Sequence, residues 1–216
     1  MKKELPIISL IVASLFTIAG GFGDGYTFLS RGGVFGNMQT GNLIKFFVAL
    51  IDRGEVIWLY ILPIPFFIVG CIITYLMNKL KHQNEIIVAV LFAAYLGCGF
   101  IPKGEAYDIL CVCILSMTGA MQFQAFRNCL SLYYTSTMCT NNLRLFSISI
   151  AEKNVKKILF YLLIISLFCF GCILAVLLHN GMGLYSISPI ASLYLIIFII
   201  WLIPYKNEQP EIVEEL

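Results

Sequence analysis

The sequence predicts an all-α integral membrane protein with about six transmembrane helices and two re-entrant half-helices, arranged as two inverted structural repeats. Three observations carry that expectation: an apolar composition, six long apolar runs, and self-similarity at an offset of 100 residues. Apolar residues fill 60% of the 216 positions and charged residues only 12%, with a mean hydropathy of +0.90. A soluble domain carries about 25% charged residues. One buried core accounts for a single run of about 20 apolar residues, but not for six. The net charge of +2 gives no basic face for nucleic acid.

The first run, from Leu5 to Ala19 behind Lys2-Lys3, has the outline of a secretory signal. Every later segment is apolar too, so it reads as the first span, about 5–25. The next apolar piece, 42–51, follows a Gly- and Thr-rich stretch. At about 1.5 Å per residue it reaches only halfway across a bilayer, which predicts a half-helix in a re-entrant loop. Spans at about 57–78 and 86–101 complete a first repeat, 1–104. The second repeat, 105–205, has spans at about 107–129, 158–178 and 184–203, with a half-helix at 142–151. Residues 206–216, with Glu208, Glu211, Glu214 and Glu215, form an acidic cytoplasmic tail.

Charge placement supports six crossings. With a cytoplasmic N-terminus, Lys2, Lys3, Lys79, Lys81, Lys153, Lys156, Lys157 and Lys206 all face the cytoplasm. Arg31, Arg53 and Lys103 face the other side, as the positive-inside rule requires. Letting both half-helices cross would move Lys79 and Lys81 outside.

The repeat is visible residue by residue. Met38, Thr40, Asn42, Leu43 and Phe46 match Met138, Thr140, Asn142, Leu143 and Phe146, and Ala19–Asp24 lies opposite Gly119–Gln124. Three crossings per half invert the second half relative to the first, the plan of many transporters, whose sites form near the midplane. Gly20, Gly21, Gly23, Gly25, Gly32, Gly33, Gly36 and Gly41 suit close packing and positive φ. Thr40 and Thr140 have the chemistry of N-caps, and Asn42 and Asn142 that of loop braces. Half-helix N-termini aimed at the centre would favour an anion or a polar solute with acceptor oxygens.

The stretch Gly32-Gly33-Val34-Phe35-Gly36-Asn37-Met38-Gln39-Thr40-Gly41-Asn42 resembles the first signature of the YoaK-like family of bacterial membrane proteins. Gln122-Phe123-Gln124-Ala125-Phe126-Arg127, followed by Thr137-Met138-Cys139-Thr140-Asn141-Asn142-Leu143-Arg144, resembles the second, with Asn141 where that signature carries glycine. The resemblance covers most of the chain. It implies about six spans in a bacterial plasma membrane and no defined substrate.

Asp24, inside a span, is the sharpest site candidate, because a carboxylate there faces a cavity or a partner; Arg127 is the partner the repeat suggests. Arg127 and Arg144 could hold an anion or snorkel to headgroups, and Lys45 poses the same choice. Gln124 and Gln122 could bond a solute or a neighbouring helix. His179 falls in a solvated outer loop. Trp58, Tyr60, Trp201 and Tyr205 are interfacial anchors. Of the eight cysteines, Cys169 and Cys172 have C-x-x-C spacing, but on an apolar helix, so no metal or cofactor is expected. No nucleophile elbow or phosphate loop occurs, which weighs against an enzyme.

The expected function is transport or channelling of a small polar or anionic solute. Its site would be built from Asp24, Thr40, Asn42, Gln124, Arg127, Thr140, Asn142 and Arg144. A lipid-binding or membrane-embedded enzyme and a structural scaffold are the alternatives. The expected partners are the lipid bilayer and that solute, with self-association left open.

Overall fold

The computed structural model describes residues 6–52 and 57–202. Lys2, Lys3, Arg53, Tyr205, Lys206 and the acidic tail lie outside the described residues. Among the described residues the chain is helical apart from one two-stranded hairpin.

Helix α1, Pro6–Ser30, opens on a proline, whose missing N–H and fixed φ suit a first turn. It runs past the expected end at residue 25 and so carries Asp24 into the interior. Gly32 (φ +84°) and Gly33 (φ +72°) then turn the chain back, a pair of left-handed residues that glycine adopts without penalty. The short helix α2, Gln39–Ile51, follows. Helix α3, Ile57–Ile61, is separated from α4, Pro63–Met77, where Pro63 removes a helical N–H. Then come α5, Gln83–Cys98, and α6, Glu105–Ala125.

After α6 the chain leaves the helix before Arg127, four residues earlier than the expected span end. Asn128–Cys129 pairs with Leu132–Tyr133 across a turn in which Leu130 (φ 53°) and Ser131 (φ 61°) are both left-handed, as a two-residue hairpin requires. The second short helix, α7, is Thr140–Ala151. Helix α8, Val155–Met182, is capped by the Asn154 side chain, which accepts from Lys157 N at 3.2 Å, and ends at Gly183 with φ +56°. A 3-10 helix, Gly183–Ile190, leads into α9, Ala191–Leu202.

Four segments are long and apolar enough to cross a membrane: Pro6–Ser30, Ile57–Met77, Glu105–Ala125 and Val155–Leu202. The last has 48 residues and would span about 70 Å if straight, more than twice a hydrocarbon core. Gly183 breaks it, and α9 turns back along α1. Helices α2 and α5 are shorter. Phe28, Phe66, Ile72, Leu76, Leu159 and Leu177 are exposed on the outer surface, whereas Arg31, Asn42, Gln122 and Asn142 are buried. Apolar outside and polar within is the arrangement of a protein whose solvent is lipid.

Contacts fix the helix directions. Phe16 stacks on Phe126 and Arg31 reaches Asp108, so α1 and α6 are antiparallel. Gly21 lies against Phe168 and Ser30 bonds His179, so α1 and α8 are parallel. Leu59 packs with Val112, Ser116 bonds Pro63 O, and Gly70 lies further on against Met117 and Ala120, so α3 and α4 run with α6. Tyr95 bonds Ala19 O and Arg31 bonds Ile101 O, so α5 runs with α1; Phe16–Trp201 and Tyr26–Leu184 set α9 against it.

Glycine makes two of the parallel pairs, α1–α8 and α4–α6, possible. A Cβ on Gly21 would fall on the Phe168 carbonyl oxygen, one on Gly171 on that of Ile18, and one on Gly70 on that of Met117. Small residues that let backbones touch are the main source of helix adhesion where lipid removes the hydrophobic drive. Gly21→Ala or Gly171→Ala should therefore lose roughly 1–3 kcal/mol and lower the thermal midpoint in detergent. Gly97→Ala meets nothing within 4 Å and should leave the midpoint unchanged.

Candidate site where the two loops meet

The first loop, residues 31–38, folds back along α1. Asn37 N donates to Asp24 Oδ1 at 2.7 Å, and Gly36 N donates to Thr27 Oγ1 at 3.0 Å. Asn42, on the first turn of α2, braces the loop: its Nδ2 donates to Phe35 O at 2.6 Å and its Oδ1 accepts from Phe35 N at 2.9 Å. Gln39 Nε2 donates to Gly36 O and to Ser116 Oγ, fastening the loop to α6. At the mouth, Lys45 donates to Gly33 O with its ammonium 4.7 Å from the Phe28 and Phe35 rings.

The second loop, residues 134–139, repeats this from the other end. Asn142 Nδ2 donates to Thr135 O at 2.7 Å and Oδ1 accepts from Thr135 N at 3.0 Å. Phe35 and Thr135 are 100 residues apart, as are Asn42 and Asn142, so both loops carry the same clamp. Gln122 Nε2 donates to Ser136 Oγ at 2.9 Å and to Phe16 O at 3.0 Å, while its Oε1 accepts from Tyr194 OH at 2.7 Å.

The tips meet on one stretch of α1 and α6. Ser136 and Thr137 lie against Gly20, one helical turn from Asp24, and the Asn37 side chain packs between Gly23 and Gly119. Added Cβ atoms at Gly20 and Gly119 would strike Ser136 O and Asn37 Oδ1. Asp24 is 3% exposed, Asn37 3% and Thr137 0%, yet Asp24 Oδ2, Asn37 Oδ1 and Thr137 Oγ1 have no hydrogen-bond partner among the described residues. Polar atoms buried without partners are costly, so these three make the meeting point of the loops the candidate site.

The expected site residues divide. Asp24, Asn42 and Asn142 are buried at or beside the tips, the two asparagines spent on the loop clamps. Gln124 and Arg127 are half-buried, and Thr40, Thr140 and Arg144 are exposed. Thr40 and Thr140 are not N-caps: α2 and α7 begin at Gln39 and Thr140, neither has a side-chain cap, and Gly41 N and Asn42 N turn back to Met38 O. Asp24 does not pair with Arg127, which stands level with Phe16, about 12 Å away along the axis. His179 is not a loop residue; it lies in α8 and bonds Ser30 Oγ at 2.9 Å.

Arg31 is the largest departure from the sequence reading. It is fully buried, with bonds to Tyr26 OH, Cys98 O, Ile101 O and Pro102 O and an ion pair to Asp108 at 3.1 Å. It thereby ties the end of α1 to the α5–α6 turn. The tip residues Asn37 and Thr137 were also missed, although they immediately precede the matched Met38 and Met138 and are themselves 100 apart.

A model for the family described as "Protein of unknown function (DUF1275)" matches residues 12–200, consistent with the YoaK-like signatures. No curated protein and no solved structure matches the chain. Two substitutions separate clamp from lock. Asn142→Ala should strand the Thr135 N–H and C=O at roughly 1–3 kcal/mol per group. Arg31→Ala should cost roughly 1–3 kcal/mol for each of the Ile101 and Pro102 carbonyls it leaves without a donor, Asp108 keeping Lys103 at 3.1 Å. Thermal unfolding in detergent measures both losses.

Proposed function

The chain belongs to this family of proteins of unknown function, and we propose that it is a membrane transporter or channel for a small polar solute, with its site between the two loop tips. One observation carries the reading: two short helices bring irregular backbone into the interior, and the tips leave three buried oxygens without partners. Irregular backbone inside a membrane belongs where it is buried in protein or lines a polar path.

The two halves, 1–104 and 105–205, form inverted repeats of three crossings each. The antiparallel α1–α6 pair, the parallel α1–α8 and α4–α6 pairs and the matched Asn42 and Asn142 clamps support this plan. Among the described residues six rods alternate in direction (α1, α3–α4, α5, α6, α8 and the 3-10 segment with α9), which returns Pro6 and Leu202 to one side, the cytoplasmic side of a bacterial plasma membrane.

The chemistry of the tips narrows the solute class. Asp24 Oδ2 and Asn37 Oδ1 are acceptors, Thr137 Oγ1 can both accept and donate, and several N–H groups at the start of α2 are already satisfied by Met38 and Asn37 carbonyls. Hydrogen-bond donors on the solute therefore suit the place better than a negative charge. A second reading, lipid binding, draws on an apolar cleft lined by Leu10, Leu130, Leu159, Phe160 and Leu163 with Lys156 beside it. An acyl chain with an anionic headgroup fits that chemistry.

Proteoliposome swelling followed by light scattering, with urea, glycerol, formate and acetate as probes, tests the transport reading. At least one neutral probe should enter faster than into empty vesicles, and Asp24→Asn should slow it about tenfold, the worth of one charged hydrogen bond. If no probe enters faster, transport of small polar solutes is discarded. If Asp24→Asn changes nothing, Asp24 leaves the mechanism.

A further inference from the structure

We propose that Asp24 is a proton-binding site whose occupancy sets the grip on the first loop, making the proton the coupling ligand of the transport site proposed above. The two loops are held alike by their asparagine clamps and differently at their tips. The second is held through Gln122, an amide that does not titrate, while the first is held by a carboxylate accepting the Asn37 N–H at 2.7 Å. A hydrogen bond to a charged acceptor is about twice as strong as one to a neutral acceptor. One proton taken from water onto Oδ2 converts the carboxylate to the acid, weakens the Asn37 bond and supplies an O–H donor near Asn37 Oδ1 and Thr137 Oγ1, which have no partner among the described residues. Its return to water restores the grip, so no oxidant, reductant or co-reactant is needed.

The surroundings leave this role to Asp24. The titratable groups facing it are Tyr95 of α5 and Cys172 of α8. Tyr95 OH donates to Ala19 O at 3.0 Å, and Cys172 Sγ contacts Gly21 O at 3.3 Å. The facing stretch of α6, Leu115 to Gln122, contains no acid or base, and neither does loop 1 beyond Arg31, which is spent on Asp108. Among the described residues no ion pair includes Asp24. A proton also fits a site where Gly20, Gly23 and Gly119 already press against the loops.

Hydrogen–deuterium exchange of the full chain, in nanodiscs of phosphatidylethanolamine and phosphatidylglycerol, tests this without any transported solute. After correction for intrinsic exchange chemistry, residues 31–38 should exchange about tenfold faster in acid than in alkaline buffer. Residues 134–139 should not respond. Asp24→Asn should hold residues 31–38 at the fast rate in both buffers. The proposal is overturned if the wild-type loop ignores pH, if the response survives in Asp24→Asn, or if sodium at constant pH reproduces it, which would make the ligand a metal ion. Should Asp24→Asn not fold, the wild-type contrast between the two loops still decides. A pH-responsive loop beside a negative swelling result would discard transport and leave the proton site standing.

Discussion

Backbone that is not helical must have its N–H and C=O groups satisfied before it can lie in an apolar interior, and each unmet group costs about 1–3 kcal/mol. Two asparagines meet that constraint here. Asn42 and Asn142 each bond both the N–H and the C=O of a residue seven positions earlier, closing the loop on itself as a strand partner would. Asparagine suits this because its amide offers a donor and an acceptor side by side. With the clamps in place, the loops can enter the interior and their tips can touch α1 and α6.

The long helices are arranged around those loops. Helix α1 is the common partner: α8 lies along it through Gly21 and Gly171, α6 crosses it at Phe16 and Arg31, and both loop tips rest on its Gly20–Asp24 stretch. The ends of the site differ. On one side the Arg31–Asp108 pair, joined by Lys103 at 3.1 Å, fixes the α5–α6 turn. On the other, Phe16 packs among Phe126, Tyr194 and Trp201. The two ends of α1 thus meet unlike chemistry, ionic at one and aromatic at the other.

Much of this was legible in the sequence, for physical reasons. Apolar runs fix helices because lipid demands them, and the half-helices at 42–51 and 142–151 differ from the observed Gln39–Ile51 and Thr140–Ala151 by no more than three residues. The Asn42 and Asn142 match was visible because both positions solve one backbone problem. The tip residues were hidden because Asn37 and Thr137 share no side chain, only a position. Arg31 looked like a surface charge because its partner Asp108 lies 77 residues away, and no local pattern records a contact of that range. Thr40 and Thr140 misled because capping chemistry was read one to two residues too late.

The central claim is that each short helix enters and leaves by one face, the two faces being opposite. Single cysteines at Leu29 and Asp52, and at Asn128 and Glu152, tested with a membrane-impermeant thiol reagent from each side in a cysteine-free background, examine it most directly. Leu29 is exposed at the end of α1 and Asp52 ends α2, so both should label from one face. Asn128 follows α6 and Glu152 ends α7, so both should label from the other. Labelling of Asp52 from the face opposite Leu29, or of Glu152 from the face opposite Asn128, would mean that a short helix crosses the membrane, and the inverted arrangement with its meeting loops would fall.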